Sequence, residues 1–114
     1  MKLQPRAELQ SPALGELARL DDERFRTLFR KSPVKRIGRA RFLRNVLITI
    51  GNSGDAMLAA EARVLSQDPS PLVRGAAAWA LSRLLPADEF AILARQQAST
   101  ETDETVRAEW SVSI

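Results

Sequence analysis

The spacing of apolar residues predicts a protein built from α-helices. Apolar positions recur every three to four residues in most segments, as at Val73, Ala77 and Leu81, with polar residues between them. A helix expected from about Arg39 to Ile50 is apolar on most of its circumference, which favours burial between neighbouring helices. We expect about seven helices in all.

Capping and helix-breaking residues mark where these helices begin and end. Ser70 and Pro71 combine a capping serine with a proline at the first helical position, where no amide donor is needed. Asp21 and Asp55 are expected to cap two further helices, and residues 52–55 are expected to form a turn.

A unit of helix, turn and second helix recurs along the chain. Setting Phe42 against Val73, and Val73 against Val106, gives periods of about 31 and 33 residues. Such units bury their apolar faces only by stacking, so the pattern predicts an all-α, HEAT-like helical repeat solenoid; an orthogonal helix bundle is the alternative. The predicted divisions are an irregular lead-in (1–10) and one repeat domain (11–114), which comprises capping helices (11–38), repeat 1 (39–67), repeat 2 (68–98) and a truncated repeat 3 (99–114).

Positive charge is concentrated in one part of the chain. From Arg24 to Gly54 there are nine cations and no acidic residue, so the formal net charge of +3 hides a strongly polarised molecule. This asymmetry favours a polyanionic partner, either nucleic acid or an anionic membrane surface; the alternative is a solvated helix face. The nine cations are Arg24, Arg26, Arg30, Lys31, Lys35, Arg36, Arg39, Arg41 and Arg44.

The composition excludes several kinds of site. The chain has 114 residues, 45% of them hydrophobic, which is ordinary material for one globular domain. It has no cysteine and no histidine, so it cannot build a zinc site, a cysteine-held iron–sulfur cluster or a histidine-based catalytic triad. The lack of disulfides is compatible with a reducing, cytoplasmic setting. No apolar run approaches the ~20 residues that span a bilayer, so we expect no membrane insertion.

Two segments carry a resemblance to a known family. The segment DPSPLVRGAAAWALSRL, at 68–84, is similar to the short HEAT-like repeat of the phycobilisome-lyase type. Together with SPVKRIGRARFLRNVLITIGNSGD, at 32–55, it resembles the C-terminal domain of the epoxyqueuosine reductase family of tRNA queuosine biosynthesis. The resemblance covers about residues 3–85.

The resemblance implies a role beside an enzyme. In that family a cobalamin-binding region and a ferredoxin-like domain with two [4Fe–4S] clusters reduce the epoxide on the tRNA wobble nucleoside. The present sequence has none of the cluster cysteines, so we expect no cofactor and no reductase activity in this segment. The implied partners are a tRNA anticodon stem-loop and the ferredoxin-like and catalytic domains. A HEAT-repeat protein–protein interaction scaffold is the alternative.

The basic block supplies the candidate RNA contacts. Arginine is suited to phosphate because its planar fork donates two hydrogen bonds at once, whereas lysine acts as a point charge. For three polar residues, contact with sugar or phosphate competes with ordinary turn and capping roles. The candidates are Arg36, Arg39, Arg41 and Arg44 first, Lys31 and Lys35 second, and then Asn45, Asn52 and Ser53.

Other prominent residues favour structural roles. Arg74 and Arg107 occupy equivalent repeat positions and are expected to pair with an acid in a neighbouring turn, Asp68 or Asp103. Trp79 lies off the main apolar stripe and either covers the next repeat, faces the missing catalytic domain or stacks on a base. Trp110 has the same ambiguity. The acidic clusters at 21–23 and 101–104 are better explained as helix-start acids than as cation ligands.

Overall fold

The chain folds into helices throughout the part that is described. The computed structural model describes residues 11–111, so the predicted lead-in and the last three residues of the predicted third repeat lie outside the described residues. The described residues contain no strand, which confirms the all-α prediction. The α-helices are α1 (Ser11–Ala18), α2 (Asp22–Leu28), α3 (Gly38–Ser53), α4 (Ala59–Leu65), α5 (Pro71–Leu84), α6 (Ala87–Ala98) and α7 (Glu104–Ser111), with 3-10 helices at Pro33–Ile37 and Ala56–Leu58.

Most predicted caps are formed. The Asp21 carboxylate accepts a hydrogen bond of 2.7 Å from the backbone amide of Arg24. The Asp55 carboxylate accepts one of 3.0 Å from the backbone amide of Met57. Ser70 caps α5 only through its backbone position, since its side chain makes no capping hydrogen bond. Its amide instead donates to Asp68 Oδ2 at 3.0 Å.

The turn expected at 52–55 begins later than predicted. Asn52 and Ser53 form the last turn of α3, and the helix ends at Gly54, which has a φ of 70°. Glycine adopts that left-handed conformation without the steric penalty of a side chain. The predicted end of the helix at about Ile50 was wrong, because Asn and Ser are residue types that favour turns. Packing of the buried Ile50 and Gly51 instead continues the helix as far as Ser53.

Helix α5 is at the centre of the packing. It contacts α3 on one hand and α7 on the other, and α4 and α6 also pack against it. Helix α6 contacts α7 as well, and α1 packs against α3 and α4. This places α3, which carries three of the candidate arginines, next to α5.

The core includes the buried faces of α3 and α5. In α3 the fully buried side chains are Leu43, Leu47 and Ile50, and Phe42 is partly buried against them. In α5, a run of small residues lets the neighbouring helices approach closely. The fully buried residues of α5 are Val73, Ala77, Ala78, Ala80 and Leu81.

Both tryptophans have packing roles. Trp79 is half-buried and its ring lies against Gly51 of α3, where a Cβ atom would be 2.5 Å from Trp79 Cζ3. Trp110 is 2% exposed and stacks on Phe90 with ring centroids 5.6 Å apart. Trp110 is therefore a core residue that holds α7 to α6.

Candidate nucleic-acid interface

A cluster of cations surrounds a shallow depression between α2 and α3. Ser32 accepts from the amide of Val34 at 3.2 Å and starts the 3-10 helix Pro33–Ile37, which turns the chain back toward α3. The depression is about 460 Å³ in volume, and no acidic side chain lines it. We call its four cations the basic turn: Arg30, Lys31, Lys35 and Arg36.

Three phenyl rings fix the basic turn to the rest of the molecule. Phe25 and Phe29 of the preceding segment meet Phe42 of α3 with centroid separations of 5.0 to 5.4 Å. Tilted aromatic pairs at such distances add stability beyond their buried area. The rings thus hold the cations at a defined position although their own side chains are exposed.

A second group of candidate residues lies along one face of α3. Arg41, Arg44 and Asn52 are exposed, and a helix of 3.6 residues per turn places them with Ile48 in one row, opposite the buried Val46 and Ile50. We call Arg41, Arg44, Ile48 and Asn52 the α3 stripe.

The cations of the basic turn and of the α3 stripe have no acidic partner within residues 11–111. The ion pairs in that range are formed by other arginines: Arg19, Arg26, Arg39, Arg63 and Arg74. Arg44 makes one weak contact, from Nη1 to Asn45 Oδ1 at 3.4 Å. Positive charge at these two places is therefore open to an external anion.

Arg39 is placed differently from the other candidates. Its Nη2 is 2.7 Å from Asp68 Oδ1, and its Nε donates to the carbonyl of Leu20 at 2.8 Å. The side chains of Arg39 and Asp68 are only 20% and 6% exposed. The guanidinium is thus occupied inside the fold, a partnership across 29 residues that local charge patterning does not reveal.

The polar candidates divide between capping and open positions. Ser53 Oγ donates to the carbonyl of Ile50 at 2.6 Å and accepts from the amide of Asp55 at 3.1 Å, so its hydroxyl closes the end of α3. Asn45 is exposed and accepts the Arg44 contact. Asn52 is exposed at the edge of a groove.

Arg74 forms the second buried ion pair, as its predicted structural role requires. Its Nε and Nη2 contact Glu101 Oε1 and Oε2 at 2.9 and 2.8 Å, and Nη1 donates to the carbonyls of Asp68 and Pro69. The predicted acid partner, Asp68 or Asp103, was wrong. The Asp68 carboxylate instead pairs with Arg39, and the Asp103 carboxylate accepts hydrogen bonds from the backbone amides of Thr105 and Val106 at the start of α7. Arg107 is exposed and makes no ion pair within residues 11–111.

The Arg74–Glu101 pair also shifts two pKa values. The hydrogen bonds from Arg74 lower the pKa of the Glu101 carboxyl, and the same contact raises the pKa of Arg74. Hydrogen bonds from Thr105, then Val106, lower the pKa of Asp103. These acids serve the fold, and no group of three or more acidic side chains able to hold a metal ion occurs in the part of the chain that is described.

A groove lies between α3, α5 and α7, next to the α3 stripe. Its volume is about 410 Å³, and its walls include the apolar side chains of Ile48, Leu72 and Trp79. Sequence reasoning marked Trp79 but not this groove, because only the packing of three helices creates it. Its main lining residues are Arg44, Ile48 and Asn52 of α3 and Leu72, Ala76 and Trp79 of α5.

Comparisons with known proteins agree on one family. No protein-family model matches the chain. Over 86, 81 and 82 residues the chain is 35%, 37% and 35% identical to the epoxyqueuosine reductases of Alicycliphilus denitrificans, Pseudomonas aeruginosa and Shigella dysenteriae. These matches cover 68%, 70% and 69% of this chain but 24%, 22% and 21% of the relatives, so the chain spans less than a quarter of their length.

Solved structures give the same result for the fold. Crystal structures of a selenomethionine-labelled epoxyqueuosine reductase, and of epoxyqueuosine reductase with a tRNA-Tyr epoxyqueuosine-modified tRNA stem loop, superpose with a TM-score of 0.82. Each is 25% identical, and the match covers 100% of this chain and 32% of the solved one. The resemblance expected from the sequence is confirmed. Among residues 11–111, no helix has the length and apolar character needed to traverse a bilayer.

Proposed function

We propose, on the premise that this chain is similar to one domain of the epoxyqueuosine reductases, that it binds the phosphate backbone of a tRNA anticodon stem-loop. In this proposal the chain positions the RNA, and reduction of the epoxide takes place outside it. The chain has no cysteine to ligate an iron–sulfur cluster, so the clusters and the cobalamin implied by the resemblance belong to other parts of such an enzyme.

The supporting observation is the open positive charge of the basic turn and the α3 stripe. Six cations at these two places have no acidic partner within residues 11–111, and the segment from 24 to 54, which contains all six, has no acidic residue. Arg39 is not among the proposed contacts, because Asp68 already neutralises it. The proposed phosphate contacts are Arg30, Lys31, Lys35, Arg36, Arg41 and Arg44.

The chemistry of RNA fits this arrangement. Lysine and arginine bind a polyanion by displacing its condensed counterions, so each neutralised phosphate adds about −0.7 to −0.9 to the slope of log affinity against log salt. Folded RNA is read mainly through backbone shape and 2′-hydroxyls. Asn45 and Asn52 are exposed on the same helix as Arg41 and Arg44, and in this proposal they contact sugar hydroxyls.

The two pairs of buried charges support the division into HEAT-like repeats. Arg39 at the start of α3 pairs with Asp68, and Arg74 at the start of α5 pairs with Glu101. In each case the carboxylate also accepts a hydrogen bond from the backbone amide two residues further along the chain, that of Ser70 for Asp68 and that of Asp103 for Glu101. The same contact thus recurs in two successive hairpins, as a repeat requires.

The test is binding of a labelled anticodon stem-loop at several salt concentrations, measured by fluorescence anisotropy. Reversing both arginines, Arg41→Glu with Arg44→Glu, removes two charge-assisted contacts worth about 1.5 kcal/mol each, so we expect about hundredfold weaker binding and a salt slope reduced by about 2. Circular dichroism should be unchanged, since both side chains are exposed.

A matched control makes the same change of charge elsewhere. Arg63 of α4 and Arg95 of α6 are exposed on helices that carry none of the proposed contacts, and reversal of both alters the net charge equally. We expect this control to weaken binding only slightly. If the two double variants lose affinity to the same extent, binding depends on net charge and the proposed interface is refuted; if neither does, RNA binds elsewhere or not at all.

A second candidate function is docking to a protein, and exposed apolar residues favour it. Met57 and Val64 are 82% and 71% exposed and are seven residues apart on the Ala56–Leu65 segment. The relatives contain polypeptide beyond the part that this chain matches, and that remainder is the proposed partner. Binding to it should survive high salt and be lost in Met57→Lys with Val64→Lys, whereas RNA binding should fall with salt.

A further inference from the structure

The α3–α5–α7 groove adjoins the proposed phosphate contacts but differs from them in chemistry. We propose that it receives one unpaired nucleotide of the bound RNA, with the base on its apolar floor and the phosphate at Arg44. This inference rests on the proposed function, because it concerns which part of an RNA the same surface reads. A groove that accepts a base would make this domain selective for loops over duplexes.

The size and floor of the groove suit a single planar group. A volume of about 410 Å³ is within the range of small-molecule sites, and the floor consists of Ile48, Leu72, Ala76 and Trp79. Leu72 is 42% exposed, so the apolar surface is not covered by another part of the described chain. A helix or strand of a protein partner would need a far larger contact area than one such recess.

An aromatic ring is present at the end of this floor. Trp79 is held against α3 because Gly51 has no side chain, and the Arg83 guanidinium lies 5.6 Å from its ring centroid. Aromatic and guanidinium planes are the surfaces on which unpaired bases stack, and they do so with little sequence preference. The ring is rigidly placed, so little ordering is needed when a base binds.

The polar rim of the groove matches the two ends of a nucleotide. Arg44 on α3 has no acidic partner within residues 11–111 and continues the row that Arg41 begins, so a phosphate is favoured there. On the α7 side Glu109 lines the groove, which disfavours phosphate but accepts hydrogen bonds from a base amino group. Asn52 provides both a donor and an acceptor. The charges therefore orient the nucleotide across the groove, from Arg44 towards Glu109.

The experiment compares an RNA stem-loop with a blunt RNA duplex of the same length. Ala76→Leu fills the groove without a change of charge, and Ala60→Leu makes the same substitution at an exposed site on α4. We expect Ala76→Leu to weaken stem-loop binding about tenfold, the size of one lost base contact, and to leave duplex binding unchanged. Ala60→Leu should change neither.

Intrinsic fluorescence gives an independent readout. The other tryptophan, Trp110, is buried, so emission that changes on addition of RNA reports Trp79. The stem-loop should quench it and the duplex should not. If Ala76→Leu fails to fold by circular dichroism, Leu72→Gln replaces it, with Ile92→Gln as the control because Ile92 is also exposed and lies on α6.

The outcomes separate this inference from the proposed function. If the native chain binds neither RNA, the proposed function fails and the groove proposal fails with it. If both RNAs bind but filling the groove has no effect, or weakens both equally, the phosphate interface is retained and the nucleotide site is overturned. Loss of binding to the remainder of an epoxyqueuosine reductase, with RNA binding intact, would make the groove a protein contact and would also overturn it.

Discussion

Replacing Glu101 with alanine tests whether the buried ion pair holds the carboxyl-terminal hairpin in place. In the folded chain, Glu101 receives two hydrogen bonds from Arg74, at 2.9 and 2.8 Å, and one from the amide of Asp103 at 3.0 Å. The Glu101 side chain is only 7% exposed and that of Arg74 17%. Truncation therefore leaves a guanidinium that is largely shielded from water and still tied to two carbonyls.

The expected cost follows from that geometry. Removal of one partner from a fully buried pair costs about 3–5 kcal/mol, because an uncompensated charge remains. Water reaches part of the Arg74 side chain, so we take the lower end, about 3 kcal/mol of unfolding free energy. For a domain of this size, such a loss lowers Tm by about 12 °C.

The measurement is thermal and urea unfolding followed by circular dichroism, with Glu89→Ala as the matched control. Glu89 also pairs with an arginine, Arg63, but the contact is 3.4 Å long. The side chain of Arg63 is 43% exposed and that of Glu89 is 52% exposed. Exposed pairs contribute about 0–1 kcal/mol, so this variant should stay within that range. If Glu101→Ala costs no more than Glu89→Ala, the buried pair does not stabilise the fold as argued.

Two further predictions concern packing and pH. Gly51→Ala should destabilise the fold by about 1–3 kcal/mol, because the new Cβ would lie 2.5 Å from the Trp79 ring. Gly75→Ala should stabilise it by up to about 1 kcal/mol, because a Cβ there has its nearest neighbour at 3.8 Å and alanine favours the helix. Equal effects of the two substitutions on Tm would contradict the close contact at Gly51. The folded-state pKa of Glu101 lies below its usual 4.5, so the stability that its pair with Arg74 provides is present above pH 4.5 and is lost as the pH falls through the folded-state pKa. The Tm of Glu101→Ala should therefore fall less steeply with decreasing pH than the Tm of the native chain. Parallel curves of Tm against pH would show that the pair does not titrate in this way.

The all-helical fold could be predicted because local signals agree along the chain. Apolar spacing, the caps at Asp21 and Asp55, and the proline of α5 all point to the same elements, and the structure forms them. The end of α3 was misplaced because turn propensity at Asn52 and Ser53 yields to burial of the preceding residues. Whether the hairpins are HEAT-like repeats, with the divisions given above, stays a prediction.

The candidate site was predictable only in part, since pairing depends on contacts between distant residues. The exposed positions of Arg41 and Arg44 follow from helical periodicity alone. Arg39 belongs to the same run, but its partner Asp68 is 29 residues away and no local pattern identifies it. The groove beside Trp79 required the relative placement of three helices, and the glycine at 51 gave only a weak signal of a close approach.

The two buried ion pairs have a topological consequence. Each joins the beginning of a hairpin to the linker that leaves it, since Arg39 and Asp68 are 29 positions apart in sequence and Arg74 and Glu101 are 27 positions apart. A contact of this kind closes its hairpin into a ring and reduces the freedom of that segment alone, much as a reversible crosslink would. The two ion pairs are also linked to each other, because Arg74 Nη1 donates to the carbonyl of Asp68, so we expect opening of the second hairpin to loosen the first and to speed amide hydrogen exchange in both.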